Sequence, residues 1–250
     1  MAQADRSFIG EGIIYARAYQ SQDPLLDIGN CDQFNIAWAT NRQALPNYRG
    51  GGGNRNVQER ITDVTATIGM YDLTPENVAR VTRSTITAAT TDAITDELLI
   101  GAGVQGELIP FKHLPDLAET ITVKGADDEA LAVGTDYQLN PHGIIVLASG
   151  KITAAGVKAS YTPRAASVLQ MMTTSAVELE IYIAGLNDAQ SGEPFSLRPR
   201  RVKFGMLSQM SVLGQEYLKL EGPAELLADD TIIATDISKF CEMQLVTKVA

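Results

Sequence analysis

The 250 residues are 45% hydrophobic and 20% charged, enough apolar material to core one large domain or two small ones, which sets the chain apart from disordered tracts. Twenty Lys and Arg against thirty Asp and Glu leave a formal net charge of −10, which argues against a protein that grips phosphate backbones. No run reaches the ~20 consecutive apolar residues of a membrane-spanning helix, and the opening residues lack a basic stretch leading into an apolar core, so neither insertion nor standard export is expected.

Gly, Ser, Thr, Asn and Asp punctuate the chain, and the apolar residues between them recur at period two more than at 3.6, an all-β texture. A first strand is expected around Ile13 to Tyr19. In Gln33 to Thr40, Phe34, Ile36 and Trp38 share one side while Gln33, Asn35, Ala37 and Ala39 share the other, the pattern of a strand with one buried face. Asn41 to Asn56 then reads as a loop, too long and too basic for a hairpin turn. It carries Arg42, Arg49 and Arg55 with no acid, together with Pro46, Tyr48 and the glycines Gly50, Gly51, Gly52 and Gly53. Four consecutive glycines have no conformational preference of their own, so this loop is expected to be held by a partner or to move.

Alternation returns from Ile61 to Tyr71, with Val64, Ala66, Ile68 and Met70 opposed by Asp63, Thr65 and Thr67. Thr74-Pro75-Glu76 supplies a hydroxyl cap, a proline at the first helical position and an acid at the positive end of the dipole, predicting a short helix that ends near Arg83. From Leu108 to Thr162 the turn spacing changes, and four short strands are expected at Thr120 to Lys124, Asp136 to Leu139, Gly143 to Leu147 and Val157 to Thr162. We read 108–162 as a small β module inserted into a host domain formed by 1–107 and 163–250. After it, Leu179, Ile181 and Ile183 alternate with Glu178, Glu180 and Tyr182, and further strands are expected at Val202 to Met206, Glu216 to Glu221 and Phe240 to Val246.

Tests for chemistry find little. Gly50 to Gly53 lead into Asn54-Arg-Asn and a strand, where a phosphate-binding loop needs Gly-Lys-Ser/Thr and a helix. His113 and His142, the two histidines, lie beside prolines and carry no nucleophile elbow, so they read as surface or turn residues. Cys31 and Cys241 have no C-x-x-C spacing, so neither zinc nor a disulfide framework follows and a reducing cytoplasm is the expected site of synthesis. Asp127-Asp-Glu129 lacks the calcium-loop frame and reads as a solvated turn. The dense basic run Arg198, Arg200, Arg201 and Lys203 sits between acidic strands, and carboxylates of a neighbouring subunit are its expected partners ahead of nucleic acid.

Several stretches resemble the major tail tube proteins of long-tailed, non-contractile bacteriophages: Gly10-Glu-Gly-Ile-Ile-Tyr-Ala-Arg-Ala, Pro24-Leu-Leu-Asp-Ile-Gly-Asn, the Phe34-x-Ile-x-Trp strand, the Arg- and Gly-rich loop, Asp72-Leu-Thr-Pro-Glu-Asn-Val-Ala-Arg, and Val212 to Asp229. The resemblance implies a mainly β fold, a β-sandwich or rolled barrel with one short flanking helix, shared with the type VI secretion tube protein. It implies a structural virion protein and no enzyme. Its partner would be itself, as hexameric rings stacked head to tail, with other tail proteins at the tube ends, DNA only in passage, no membrane and no cofactor or metal. Assembly would take place in the host cytoplasm. It makes Arg42 to Arg55 the ring-stacking loop and puts the inserted module outside the tube. An acidic or hydroxyl-rich lining lets a duplex slide, which makes Asp63, Thr65, Thr67, Glu178 and Glu180 candidates for the channel wall, although the sequence leaves open whether they face outer solvent instead. Two other readings compete. One is a carbohydrate- or protein-binding, adhesin-like β-sandwich that acts through the inserted module. The other is an esterase- or glycosidase-like enzyme, which would need a histidine or an acid pair in a cleft.

Overall fold

Period-two alternation becomes a ladder wherever one face of a strand is covered. A computed structural model describes residues 6–246, so the first five of the residues on which the expected lack of an export signal rests lie outside the description. The strands are β1 (Gly10–Ala18), β2 (Leu26–Asp27), β3 (Cys31–Pro46), β4 (Asn54–Met70), β5 (Thr85–Ala88), β6 (Ile94–Leu99), β7 (Leu108–Pro110), β8 (Thr122–Gly125), β9 (Tyr137–Asn140), β10 (Gly143–Val146), β11 (Val157–Tyr161), β12 (Ser167–Gln170), β13 (Glu178–Asn187), β14 (Glu193–Pro199), β15 (Val202–Phe204), β16 (Leu220–Leu226) and β17 (Cys241–Leu245). Among the described residues one α-helix, α1 (Pro75–Thr82), interrupts them. The fold is mainly β, in several antiparallel sheets with a single short helix. No helix among the described residues is long and apolar enough to cross a membrane.

The chain divides into two units, one from the described residues up to Thr85 and from Gln170 onward, the other Ile86–Leu169. The first holds a nine-stranded sheet in the order β17-β14-β13-β15-β16-β4-β3, with β1 on β13 and β2 on β1. Since β1 pairs along β13 from Gly10↔Asn187 to Ala18↔Leu179, β14 and β15 share the opposite edge of β13. Four steps along β13, from Ile183 to Leu179, face five on the partner, from Leu197 to Val202. Thus β14 and β15 are one strand with a bulge at Arg200 and Arg201, and there the sheet forks: β17 continues from β14, and β16, β4 and β3 continue from β15. One face of the sheet is the core, with Ile68, Met70, Ile181, Val202 and Leu220 fully buried.

Helix α1 follows its local signals. Thr74 Oγ1 accepts from Asn77 N at 3.2 Å, Pro75 opens the first turn, and Arg83 closes the helix at φ 54°, its N–H donating to Ala79 O. Buried Asn77 donates through Nδ2 to Ile28 O at 2.7 Å and to Asp72 O at 3.0 Å, tying the helix to the chain before β3.

The second unit stacks two three-stranded sheets, β7-β10-β9 and β6-β11-β8, around Ile109, Ile144, Val146 and Val157. Its edges fall at 86 and 169 where the turn spacing suggested 108 and 162. The central strand β11 has β8 on one edge and β6 on the other, and β6 also supplies Leu99 to the core. Only Leu99 of β6 is buried, so its sequence carries no strong alternation to announce it. Ribbon β5–β12 pairs the chain where it enters this unit with the chain where it leaves.

Two expectations are corrected here. Asn41 to Asn56 is no loop: β3 and β4 pair from Cys31↔Met70 out to Pro46↔Asn54, leaving only Asn47–Gly53 as a turn. Arg42 and Pro46 therefore lie on β3, Arg55 on β4, and Tyr48, Arg49 and Gly50 to Gly53 in the turn. Beyond Asp63 neither face of this ribbon is covered, and hydrophobic alternation records burial, so the paired strands left no trace in the sequence. Nor does the turn need a partner to hold it. Asn47 N donates to Gly53 O at 2.9 Å, Asn47 Nδ2 donates to Gly50 O at 2.8 Å, and Asn47 Oδ1 accepts from Arg49 N at 3.1 Å. All four glycines take positive φ, between 71° and 93°, which other residues rarely adopt. Likewise β16 starts at Leu220, where pairing with Met70 begins, and Glu216 to Lys219 lie before it in an irregular segment.

Candidate assembly surface

The face of the nine-stranded sheet opposite the core is polar, and the register assembles it residue by residue. Glu178 pairs with Lys203, Lys203 with Glu225, Glu225 with Thr65 and Thr65 with Ala37, one row across five strands. Thr67 follows beside Asn35, Asp63 beside Ala39, and Glu180 beside Arg17. Asp63, Thr65, Thr67, Glu178 and Glu180, distant in sequence, thus share one face of one sheet.

On this face Glu178 and Glu180 are paired with arginines. Glu180 receives Arg17 at 2.7 Å on Oε2 and Arg198 Nε at 2.8 Å on Oε1. Arg201 meets Glu178 with Nε at 2.7 Å and a terminal nitrogen at 3.2 Å, while its guanidinium lies 5.2 Å over the Tyr19 ring. Arg200 reaches Glu242 on β17 at 2.8 Å and Ser238 O at 2.9 Å. Arg198, Arg200 and Arg201 therefore close on carboxylates of their own chain, where the sequence pointed to those of a neighbouring subunit. The fork is the reason: its bulge turns Arg200 toward β17 and Arg201 toward β13. Lys203 sits opposite Glu178 in the row. The hydrogen bonds from Arg201 hold the Glu178 carboxyl below the usual glutamate range. Burial opposes ionisation of Glu180, but its two arginines outweigh it and the carboxyl is likewise lowered.

Farther along, Lys219 bridges Asp32 at 2.8 Å and Glu221 at 2.9 Å across Gly69, where a Cβ would stand 2.2 Å from Asp32 Oδ1. Only a bare backbone leaves room for that bridge. Sequence reasoning missed Arg17, Glu242 and Lys219. Alternation along β1 puts Arg17 beside Tyr15 on the polar side, a usable signal; nothing local announces the other two.

The second feature is the arm formed by the outer halves of β3 and β4. Leu45, Tyr48, Val57 and Ile61 are exposed on it, Tyr48 at 84%. Trp38, at its root, is 68% exposed although its partner Val64 is buried, a departure from the expected covered face. Because β3 ends the sheet, its outer edge is open along sixteen residues, guarded by no lysine and by proline only at the tip. The segment before β16 adds Val212, Leu213 and Tyr217, all more than 70% exposed.

The other residues singled out in the sequence do not converge. His113 donates its backbone N–H to Tyr161 Oη, whose own hydroxyl donates to Glu97, and His142 lies exposed in the β9–β10 turn. Asp128 pairs with Lys158 at 2.8 Å and Glu129 with Lys151 at 3.1 Å, so the acidic turn is tied to lysines of its own unit. Cys31 and Cys241 are half-buried free thiols, and burial pushes Cys31 up to about 11. Among the described residues no group of three or more His, Cys, Asp or Glu is placed to hold a metal ion.

A family model described as "protein of unknown function UCP028589" matches residues 7–244. No curated protein matches the chain.

Proposed function

We propose that this chain, which belongs to that family of unknown function, is an architectural subunit that assembles with copies of itself into rings of six stacked as a bacteriophage tail tube. In this reading DNA passes through the tube on its way into the host, other tail proteins close its ends, and the protein resides in the virion.

The observation that carries the reading is the β3–β4 arm. A ribbon with both faces uncovered, four large apolar side chains in the open and a long unpaired edge is costly for a solitary molecule, because such edges recruit other chains. Pairing with another copy removes that hazard through main-chain hydrogen bonds and covers the apolar residues. Contacts between different surfaces of identical subunits propagate as a stack. The charge-matched, hydroxyl- and amide-bearing sheet face suits a wall past which a polyanion moves without being held.

Negative-stain imaging of concentrated protein is the test, with rings and hollow tubes expected. Deleting Gly50 to Gly53, or Arg49→Glu with Arg55→Glu, should leave a folded chain that forms rings but no tubes. Monodisperse monomer at every concentration, or tubes of undiminished length from the arm variants, would reject the assignment. Raising salt should weaken stacking, since exposed charges are screened over ~8–10 Å near physiological ionic strength.

A further inference from the structure

The polar sheet face carries more arginine than a surface indifferent to phosphate needs. Arg17 on β1 and Arg198 on β14 flank Glu180 on β13 from opposite sides, each on its own carboxylate oxygen. The Glu180 side chain is 12% exposed, whereas Arg17 and Arg198 are 27% and 45% exposed. Two residues along β13, Glu178 takes Arg201 in a two-point contact. Three guanidinium groups thus close on two carboxylates, and Lys203 stands opposite Glu178 in the next strand. A guanidinium fork fits a phosphate as well as it fits a carboxylate, so what these arginines bind is decided by which anion is held against them.

The geometry points to Glu180, seconded by Glu178, as a mask that keeps three arginines occupied on a face otherwise able to bind a polyphosphate backbone. This rests on the reading of that face as a wall that DNA passes. Fixed in the same sheet, the two carboxylates compete as intramolecular ligands, at an effective concentration that passing phosphates do not match. Without them each freed arginine would gain from the release of counterions condensed on the duplex, and the wall would grip what it should let slide.

The test titrates full-length protein, kept dilute, into a short fluorescein-labelled DNA duplex and reads anisotropy at low salt, with thermal melts confirming that each variant is folded. Glu180→Gln preserves shape and removes the charge. It should bind at least about tenfold tighter than the unchanged chain, and two freed arginines should steepen the slope of log affinity against log salt by about 1.8. Adding Arg17→Gln and Arg198→Gln to that variant should return the affinity to its starting value. If Glu180→Gln does not fold, Glu178→Gln, whose carboxylate is more exposed, carries the same comparison through Arg201. A folded variant that binds no tighter, or a gain that survives loss of the arginines, overturns the mask. Rings and tubes with no gain in affinity sink the mask alone; a gain in a chain that never assembles sinks the tube reading alone.

Discussion

Strands β3 and β4 form one hairpin with two regimes. At its root, from Cys31 to Ala39 and Asp63 to Met70, the ladder lies over a core: Ile68 and Met70 are fully buried and Ala66 nearly so. In its arm, from Thr40 to Pro46 and Asn54 to Ile61, the same kind of ladder runs on with nothing beneath it, and Val57 and Ile61 are 42% and 61% exposed. A bulge between Ala39 and Thr40 separates the two. Identical backbone pairing therefore serves opposite ends. Apolar side chains at the root stabilise the monomer, while those of the arm contribute little until another surface covers them.

The largest contrast should appear on truncating one side chain in each region. Ile68→Ala removes a fully buried group and should cost about 3–5 kcal/mol in denaturant unfolding, whereas Val57→Ala should stay within about 0.5 kcal/mol. Equal losses would mean that the arm is covered in the monomer and would end the distinction.

Next comes the root's polar face, whose share of the monomer's stability depends on charge. Glu178 and Glu180 have folded pKa values below the unfolded one near about 4.3, so their contribution is complete above that pH and is lost as pH falls through the folded values. The arginines are a quarter to nearly half exposed, so solvent screening limits the three pairs to about 1 kcal/mol together. Acid titration of stability should show this step in the unchanged chain and a smaller one in Glu180→Gln. An identical step in both would assign it elsewhere.

The most local effect belongs to the arm's tip. Gly51→Ala and Gly52→Ala place a Cβ at φ 85° and 71°, where the space is open but the backbone is strained, costing about 1 kcal/mol each. Amide exchange should quicken along Asn41 to Arg60 and remain unchanged at Ile68. Quickening at both would show that root and arm open as one unit.

The same contrast explains which elements were readable. Helix α1 appears where Thr74, Pro75 and Arg83 put it, because capping is local chemistry. Strands β10 and β11 end within a residue of expectation, and β13 starts within one but runs four residues past the expected end at Ile183, each having a face against a core. The arm, β6 and β14 were not legible, since pairing without strong one-sided burial writes no periodicity. Of the candidate surface, the polar strand sides and their place in one main sheet could be read, but not the register that sets five residues on one face, nor where the arginines end.

By itself the sequence determined the strand-rich texture, the single capped helix, the acidic balance and the polarity of each strand's two sides, all properties set by a residue and its near neighbours. Tertiary structure decided that a glycine-rich basic stretch is the end of a long hairpin, and that the basic run from Arg198 closes on Glu178, Glu180 and Glu242 of its own chain. Register joins residues more than a hundred positions apart, and an ion pair forms with whichever carboxylate the pairing brings within reach.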